Sequence, residues 1–279
     1  MSRLVSCFLL SLFLNIGAGN ELFSTSQMPA GSPEARGAWL ARQVEDRDAG
    51  KDMRAAMRMR LFDRQGRARE RALTITALRG GAGRPVPSDR SLVRFSYPND
   101  IKGTGFLVIE QTAADDERFL YLPSLGRVRR IAASESQESF VGSDFTYEDI
   151  GGREFENYTY RLIDDQTPWK APDGTSRPAY TLESKSVDTN ARFPRVTSVI
   201  LKDAWLVVRA EIRNKRDEIQ KTYEARRAEK TGGYWTVLEM TMADALQRTR
   251  TELVIEKVEY DIGLTPEDVS RRELERGIR

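Results

Sequence analysis

Met53-Arg54-Ala55-Ala56-Met57-Arg58-Met59-Arg60-Leu61 puts an apolar side chain at positions 53, 55, 57, 59 and 61 and arginine at 54, 58 and 60. Alternate residues of a strand share a face, so this stretch reads as a β-strand with one greasy and one charged side. Asp63-Arg64-Gln65-Gly66 follows with turn chemistry, and Leu73, Ile75 and Ala77 resume the alternation. The two runs predict a β-hairpin.

Working outward, the loop Gly80-Gly81-Ala82-Gly83-Arg84-Pro85 separates this hairpin from further short apolar runs at 91–97, 105–110, 118–122, 127–132, 158–163, 179–187, 195–201, 206–213, 220–225, 234–242 and 251–260. Asn99-Asp100, Asp173-Gly174 and Gly232-Gly233 are turn signals between several of them. Many short strands at regular spacing predict an antiparallel barrel or sandwich, mainly β with few helices. The last hairpins are heavily charged on one side, as expected of a sheet with one solvated face.

Three segments depart from period two. Ser32-Pro33-Glu34 is a helix start, and Gly37, Leu40, Ala41 and Val44 recur at helical spacing, predicting a helix over about 33–49 with Gly50 as its stop. Residues 134–150 are polar and without alternation, a loop with a short helical turn. Thr265-Pro266-Glu267 opens a terminal helix or arm over about 265–279.

At the other end of the chain, Arg3 precedes an apolar run from Leu4 to Ile16, followed by Gly17, Ala18 and Gly19. This is the pattern of a secretory signal peptide over residues 1–19, and it is short for a membrane span of about 20 apolar residues. The sole cysteine, Cys7, lies near the start of this run, so a lipidation role is disfavoured and the exported chain, residues 20–279, would lack disulfides. Removing Arg3 leaves 43 basic against 42 acidic residues. That balance argues against a nucleic-acid partner, and no linker divides residues 20–279 into smaller domains.

The 279 residues include no histidine, which removes the commonest general base near neutral pH and the commonest metal ligand. No metal site and no cofactor is expected. Lys102-Gly103-Thr104-Gly105 lacks the spacing of a phosphate loop and reads as a turn entering a strand. Glu148-Asp149 and Asp164-Asp165 are adjacent pairs that strand geometry would point apart, and both read as solvated turn acids. Ser184-Lys185 has the wrong geometry for a catalytic dyad, so no catalytic residue is assigned. Arg127, Arg129 and Arg130 read first as a solvated strand edge, and otherwise as a contact for anionic lipid head groups or an acidic partner.

Two stretches, Phe119-Leu120-Tyr121-Leu122-Pro123 through Gly126-Arg127-Val128-Arg129-Arg130-Ile131 and Gly142-Ser143-Asp144-Phe145-Thr146-Tyr147-Glu148-Asp149, resemble the outer-membrane lipoprotein-sorting proteins, relatives of the LolA-like periplasmic carriers. The resemblance extends over the whole region after the signal, in the order of initial helix, hairpins and terminal Leu274-Glu275-Arg276-Gly277. It implies an antiparallel sheet curved into an incomplete, half-open barrel with helices at its mouth. It also implies a concave face that binds lipid or the acyl chains of lipoproteins, no catalysis, and a partner among the RND-type membrane transporters. Transient membrane contact would accompany such traffic. The competing reading is a non-enzymatic accessory or sensing subunit of a transporter or signalling complex.

No ligand-contacting residue of the classical carrier maps onto a motif here, so candidates for the cavity come from the alternation itself. Met53, Met57 and Met59 suit a wall that adapts to varied ligands, because thioethers are flexible. Phe95, Leu107, Ile109, Phe119 and Tyr121 complete the set; for all eight, ordinary core packing is the first reading, since alternating apolar residues need no ligand to explain them. Gly142 and Asp144 suit a turn, and Phe145 and Tyr147 are placed to pin the long loop across the mouth, as a fixed plug or as a lid.

Overall fold

The computed structural model describes residues 28–276, apart from 82, 112 and 113. The signal-peptide reading, Cys7 and the last three residues lie outside the described residues. The elements are α1 (Pro33–Glu45), β1 (Asp52–Phe62), β2 (Ala68–Leu78), β3 (Arg90–Tyr97), β4 (Gly105–Ile109), β5 (Glu117–Leu122), β6 (Arg127–Ile131), α2 (Tyr147–Gly151), β7 (Tyr158–Lys170), β8 (Ser176–Ser186), β9 (Arg195–Leu201), β10 (Val207–Arg213), β11 (Ile219–Thr231), β12 (Tyr234–Asp244), β13 (Thr249–Tyr260) and α3 (Arg271–Arg276). Among these residues no helix is long and apolar enough to cross a membrane.

The opening stretch is β1, and its alternation is real. Met53, Ala55, Met57, Met59 and Leu61 are buried, whereas Arg54, Arg58 and Arg60 are exposed. Arg58 bridges both neighbours, at 2.8 Å to Glu256 of β13 and 3.3 Å to Glu70 of β2. Such exposed pairs contribute little stability, and their value here is to keep the outer face solvated.

All thirteen strands form one antiparallel sheet in the order β6-β5-β4-β3-β2-β1-β13-β12-β11-β10-β9-β8-β7. Two meanders thus meet at the β1–β13 pairing in the middle of the sheet. The two edges, β6 and β7, are consecutive in sequence and are joined by residues 132–157. A sheet this long must curl under its own twist, and register shifts in β1, β7 and β11 bend it further. The sheet is not closed, so the architecture is an incomplete barrel with few helices, as the resemblance implied.

The sheet carries two apolar clusters on opposite faces. Val93, Phe106 and Leu120 are neighbours in register on the inner face. Leu92, Leu107 and Phe119, one residue out of phase, are neighbours on the outer face. The inner cluster runs the length of the sheet and includes Leu40, Ala41 and Val44 of α1. The outer cluster is small and is roofed by the C-terminal arm through Leu264, Val269 and Leu274.

α1 begins as expected, with Ser32 Oγ accepting from the Ala35 amide at 3.2 Å. It stops at Glu45, short of the expected 49, because Asp48 Oδ1 accepts from the Gly50 amide in a local turn that competes with helix. The helix lies so close to β7 that a Cβ on Gly37 would sit 2.7 Å from the Arg161 backbone. The arm is held by Asp52, whose carboxylate accepts from the Ile262, Gly263 and Leu264 amides at 2.8–3.3 Å.

Candidate functional site

The inner face carries four of the eight residues that the alternation offered for a cavity, Met53, Met57, Met59 and Phe95. Five of the chain's seven methionines lie on it, Met53, Met57 and Met59 of β1 and Met240 and Met242 of β12, each no more than 1% exposed. Leu253 of β13 pairs with Met59 on one side and Met240 on the other, so the methionines form one wall across three strands. Phe95 of β3 and Phe106 of β4 continue it toward the β6 edge.

The candidates therefore divide. Met53, Met57, Met59 and Phe95 share the inner face. Leu107 and Phe119 are buried on the outer face, and Ile109 and Tyr121 are half-buried against the same cluster. There Leu274 sits against Gly105, where a Cβ would be 2.7 Å from its Cδ1, and the Arg271 guanidinium lies 4.6 Å from the Phe119 ring centre. Met240, Met242, Phe106 and Phe140 were missed. The two methionines were legible as alternate residues in the 234–242 run.

Two pieces that are not strands cover the inner face. α1 is seated by Leu40 and Val44 and by Trp39, whose ring meets Trp205 edge-on at 5.7 Å. Residues 132–157 lie across the remainder. Phe140 touches the rings of Phe95, Phe106 and Tyr147 at 5.4–5.9 Å, and Phe145, Tyr147 and Ile150 are buried beside it. Gly142, with φ +73, turns the chain at the tip. Asp144 then ties that tip to the far half of the sheet. Its amide donates to Thr251 Oγ1 at 2.9 Å, its carboxylate accepts from the Thr249 and Thr251 hydroxyls, and its carbonyl accepts from Lys221 Nζ. Burial pushes the Asp144 carboxyl above its ordinary range, with the two threonine hydroxyls opposing that shift. On the other side Arg71 donates to the Val141 carbonyl at 2.6 Å. The segment is thus anchored to one meander by aromatic contacts and by Arg71, and to the other by the polar contacts of Asp144.

The expectation for Glu148 and Asp149 needs correction. Both are buried, and they are not solvated turn acids. α2 lies inside the gap between the sheet edges, where Thr146 and Asp149 cap each other's amides. Glu148 accepts from Tyr158 Oη at 3.2 Å and pairs with Arg153 at 3.3 Å, and burial raises its carboxyl. Beside it Arg118 pairs with Asp116 and Glu154 at 3.0 and 3.2 Å. A cavity of about 510 Å³ opens here, lined by Arg118, Gln137, Glu148, Arg153, Tyr158 and Arg192 among others. Its charged lining is unsuited to an acyl chain. Asp164 and Asp165 remain at the surface, with Arg36 reaching Asp165 at 2.6 Å.

A family model described as "Uncharacterized protein" matches residues 87–276. The chain belongs to that family. Among solved structures, a DUF1329 family protein from Desulfovibrio piger superposes with a TM-score of 0.77 at 28% identity, over 88% of this chain and 100% of that one. A domain named as an outer membrane lipoprotein-sorting protein, from Vibrio parahaemolyticus, gives 0.76 at 27% identity, covering 86% and 99%. A LolA superfamily protein from Nitrosomonas europaea gives 0.63 at 15% identity, covering 88% and 100%, a likeness of fold alone. No curated protein matches. The family member described here therefore has the fold of the LolA-like lipoprotein-sorting proteins, which the two quoted stretches resembled.

Proposed function

We propose that this protein is a non-enzymatic periplasmic carrier that shelters lipid, or the acyl chains of lipoproteins, on its methionine-rich inner face. The observation that carries the reading is the way that face is covered. Its roof is α1 and residues 132–157, two pieces attached at their own seams, while the wall beneath is a continuous hydrogen-bonded sheet. A roof of this kind can leave without breaking a strand pairing.

The energetics of exchange are close to balanced. Burying Phe140, Phe145, Tyr147 and Ile150 contributes about 1.5–3 kcal/mol each, so roughly 6–12 kcal/mol favours the covered state. An acyl chain of roughly 16 carbons contributes about 0.8 kcal/mol per buried methylene, or about 12 kcal/mol. Ligand and plug can therefore compete for the same wall, and flexible thioethers let it fit either. Phe95 and the three β1 methionines are the wall in this reading, with Gly142, Asp144, Phe145 and Tyr147 in the moving lid. The outer-face residues Leu107, Ile109, Phe119 and Tyr121 support the arm. Export by residues 1–19, a place in outer-membrane lipoprotein sorting and coupling to an RND-type transporter belong to the same proposal.

Native mass spectrometry of protein isolated gently from the envelope tests it, together with uptake of a fluorescent fatty acid by the delipidated protein. Bound lipid and saturable uptake are expected. Protein recovered empty that also takes up no fatty acid would overturn the proposal.

A further inference from the structure

The two ends of the half-barrel differ. Six hairpin turns, at 63–67, 98–104, 123–126, 187–194, 214–218 and 245–248, stand side by side at one end, because strand direction alternates along the antiparallel sheet and each of them follows a strand that runs toward that end. Tyr97, Leu125, Val187, Ile219 and Leu246 lie in or directly beside five of these turns and are 36–55% exposed. They are five of the seven large apolar side chains exposed among the described residues; the others are Ile163 within β7 and Ile262 just after β13. Single apolar residues on a surface need no explanation, but the gathering of five of the seven at the turns of one end does.

Charge follows the same division. The six turns hold seven Lys and Arg against five Asp and Glu, and Arg127 and Arg130 stand exposed on β6 next to the turn that carries Leu125. The turns at the opposite end, at 79–89, 110–116, 171–175, 202–206 and 232–233, hold three basic residues against six acidic. The tip of the plug lies at the basic, apolar end, since Asp144 is tied to Thr249 and Thr251 at the start of β13 and to Lys221 near the start of β11.

We infer that this turn-bearing end is a docking surface for an anionic lipid bilayer. The apolar turn residues enter the interface while the surrounding cations face acidic head groups, the two signals whose combination holds peripheral proteins at membranes. The acidic end faces away. The inference deepens the carrier reading and rests on it for the purpose of docking, which is to bring the plugged mouth to the lipid surface; the docking itself needs no cavity.

Co-sedimentation with vesicles of phosphatidylglycerol and phosphatidylcholine, and with phosphatidylcholine alone, tests the inference. Binding to the anionic vesicles is expected, weakened by salt. The double variant Leu125→Asp with Leu246→Asp should bind about tenfold more weakly, whereas Ile262→Asp should match the unaltered protein. Both replaced residues are exposed in turns, and unchanged thermal unfolding confirms that the fold is kept. Equal binding by the double variant, absence of binding to anionic vesicles, or self-association that the double variant abolishes without any vesicle binding would each overturn the inference. Fatty-acid uptake in vesicle-free solution separates the two proposals: uptake without docking leaves the carrier reading standing, and docking without uptake leaves only the surface.

Discussion

The two faces of the sheet are built from the same kinds of residue and end in different states. On the outer face Leu92, Leu107 and Phe119 are covered by an arm fixed through backbone amides, with Asp52 accepting three of them and Arg94 donating to the carbonyls of Glu273 and Leu274. On the inner face Val93, Phe95 and Phe106 are covered by a long segment held by rings at one side and by the side chain of Asp144 at the other. The outer cover completes a small core. The inner cover spans a much larger apolar surface and is tied to the sheet mainly through side chains, among them Arg71, Lys221, Thr249 and Thr251, with no strand pairing to it.

Removing one large side chain from each cover breaks the comparison most directly. Phe140→Ala should cost about 3–5 kcal/mol of stability and raise fatty-acid uptake, because it weakens the plug without touching the wall. Leu274→Ala should cost a similar 2–5 kcal/mol and leave uptake unchanged. Denaturant melts paired with fluorescent-ligand titrations report both quantities. Equal uptake changes in the two variants would mean that the faces are alike and that the inner roof is simply core.

A smaller perturbation loosens one anchor. Thr251→Val removes the hydroxyl that both accepts from and donates to Asp144, at a cost of about 1–3 kcal/mol for the buried polar groups left behind. Amide exchange should accelerate in residues 138–150 and stay unchanged in the arm. Uniform acceleration across the molecule would instead indicate global destabilisation.

The smallest effect concerns α1, the other part of the inner roof. Burial pushes the Glu45 carboxyl up to about 9, with nearby Arg42 opposing, and its Oε1 has no hydrogen-bond partner. The folded protein therefore holds a proton that the unfolded chain releases near its ordinary value. This contribution to stability is complete below about pH 4.3 and is lost as the pH rises through about 9. Glu45→Gln should flatten that decline, so its melting temperature should exceed that of the unaltered protein by more at pH 8 than at pH 5. Parallel pH profiles for the two proteins would remove Glu45 from the explanation.

The alternation in 53–61 was enough to recognise the sheet, because period two survives wherever one face is dry. It was not enough to say which face of β4 and β5 looks inward. Phe106 and Leu107 are both buried, and the arm that buries Leu107 arrives from more than 150 residues away in sequence. Leu107, Ile109, Phe119 and Tyr121 were grouped with the methionines for that reason. Glu148 and Asp149 were misread for a related one: a polar segment resembles a solvated loop until the edges of a half-barrel enclose it. Asp144, Phe145 and Tyr147 could be singled out because the loop was too long to be a simple connection, whereas Phe140 had no periodic neighbour to mark it.

Photocrosslinking with a diazirine-bearing fatty acid, followed by peptide mapping, asks directly which face meets the acyl chain. Adducts are expected on β1 and β12, at or beside Met53, Met57, Met59, Met240 and Met242, and they should increase in Phe140→Ala. Adducts confined to β4, β5 and the arm around Leu274, or absent from the sheet altogether, would contradict the assignment of the inner face as the lipid-binding surface.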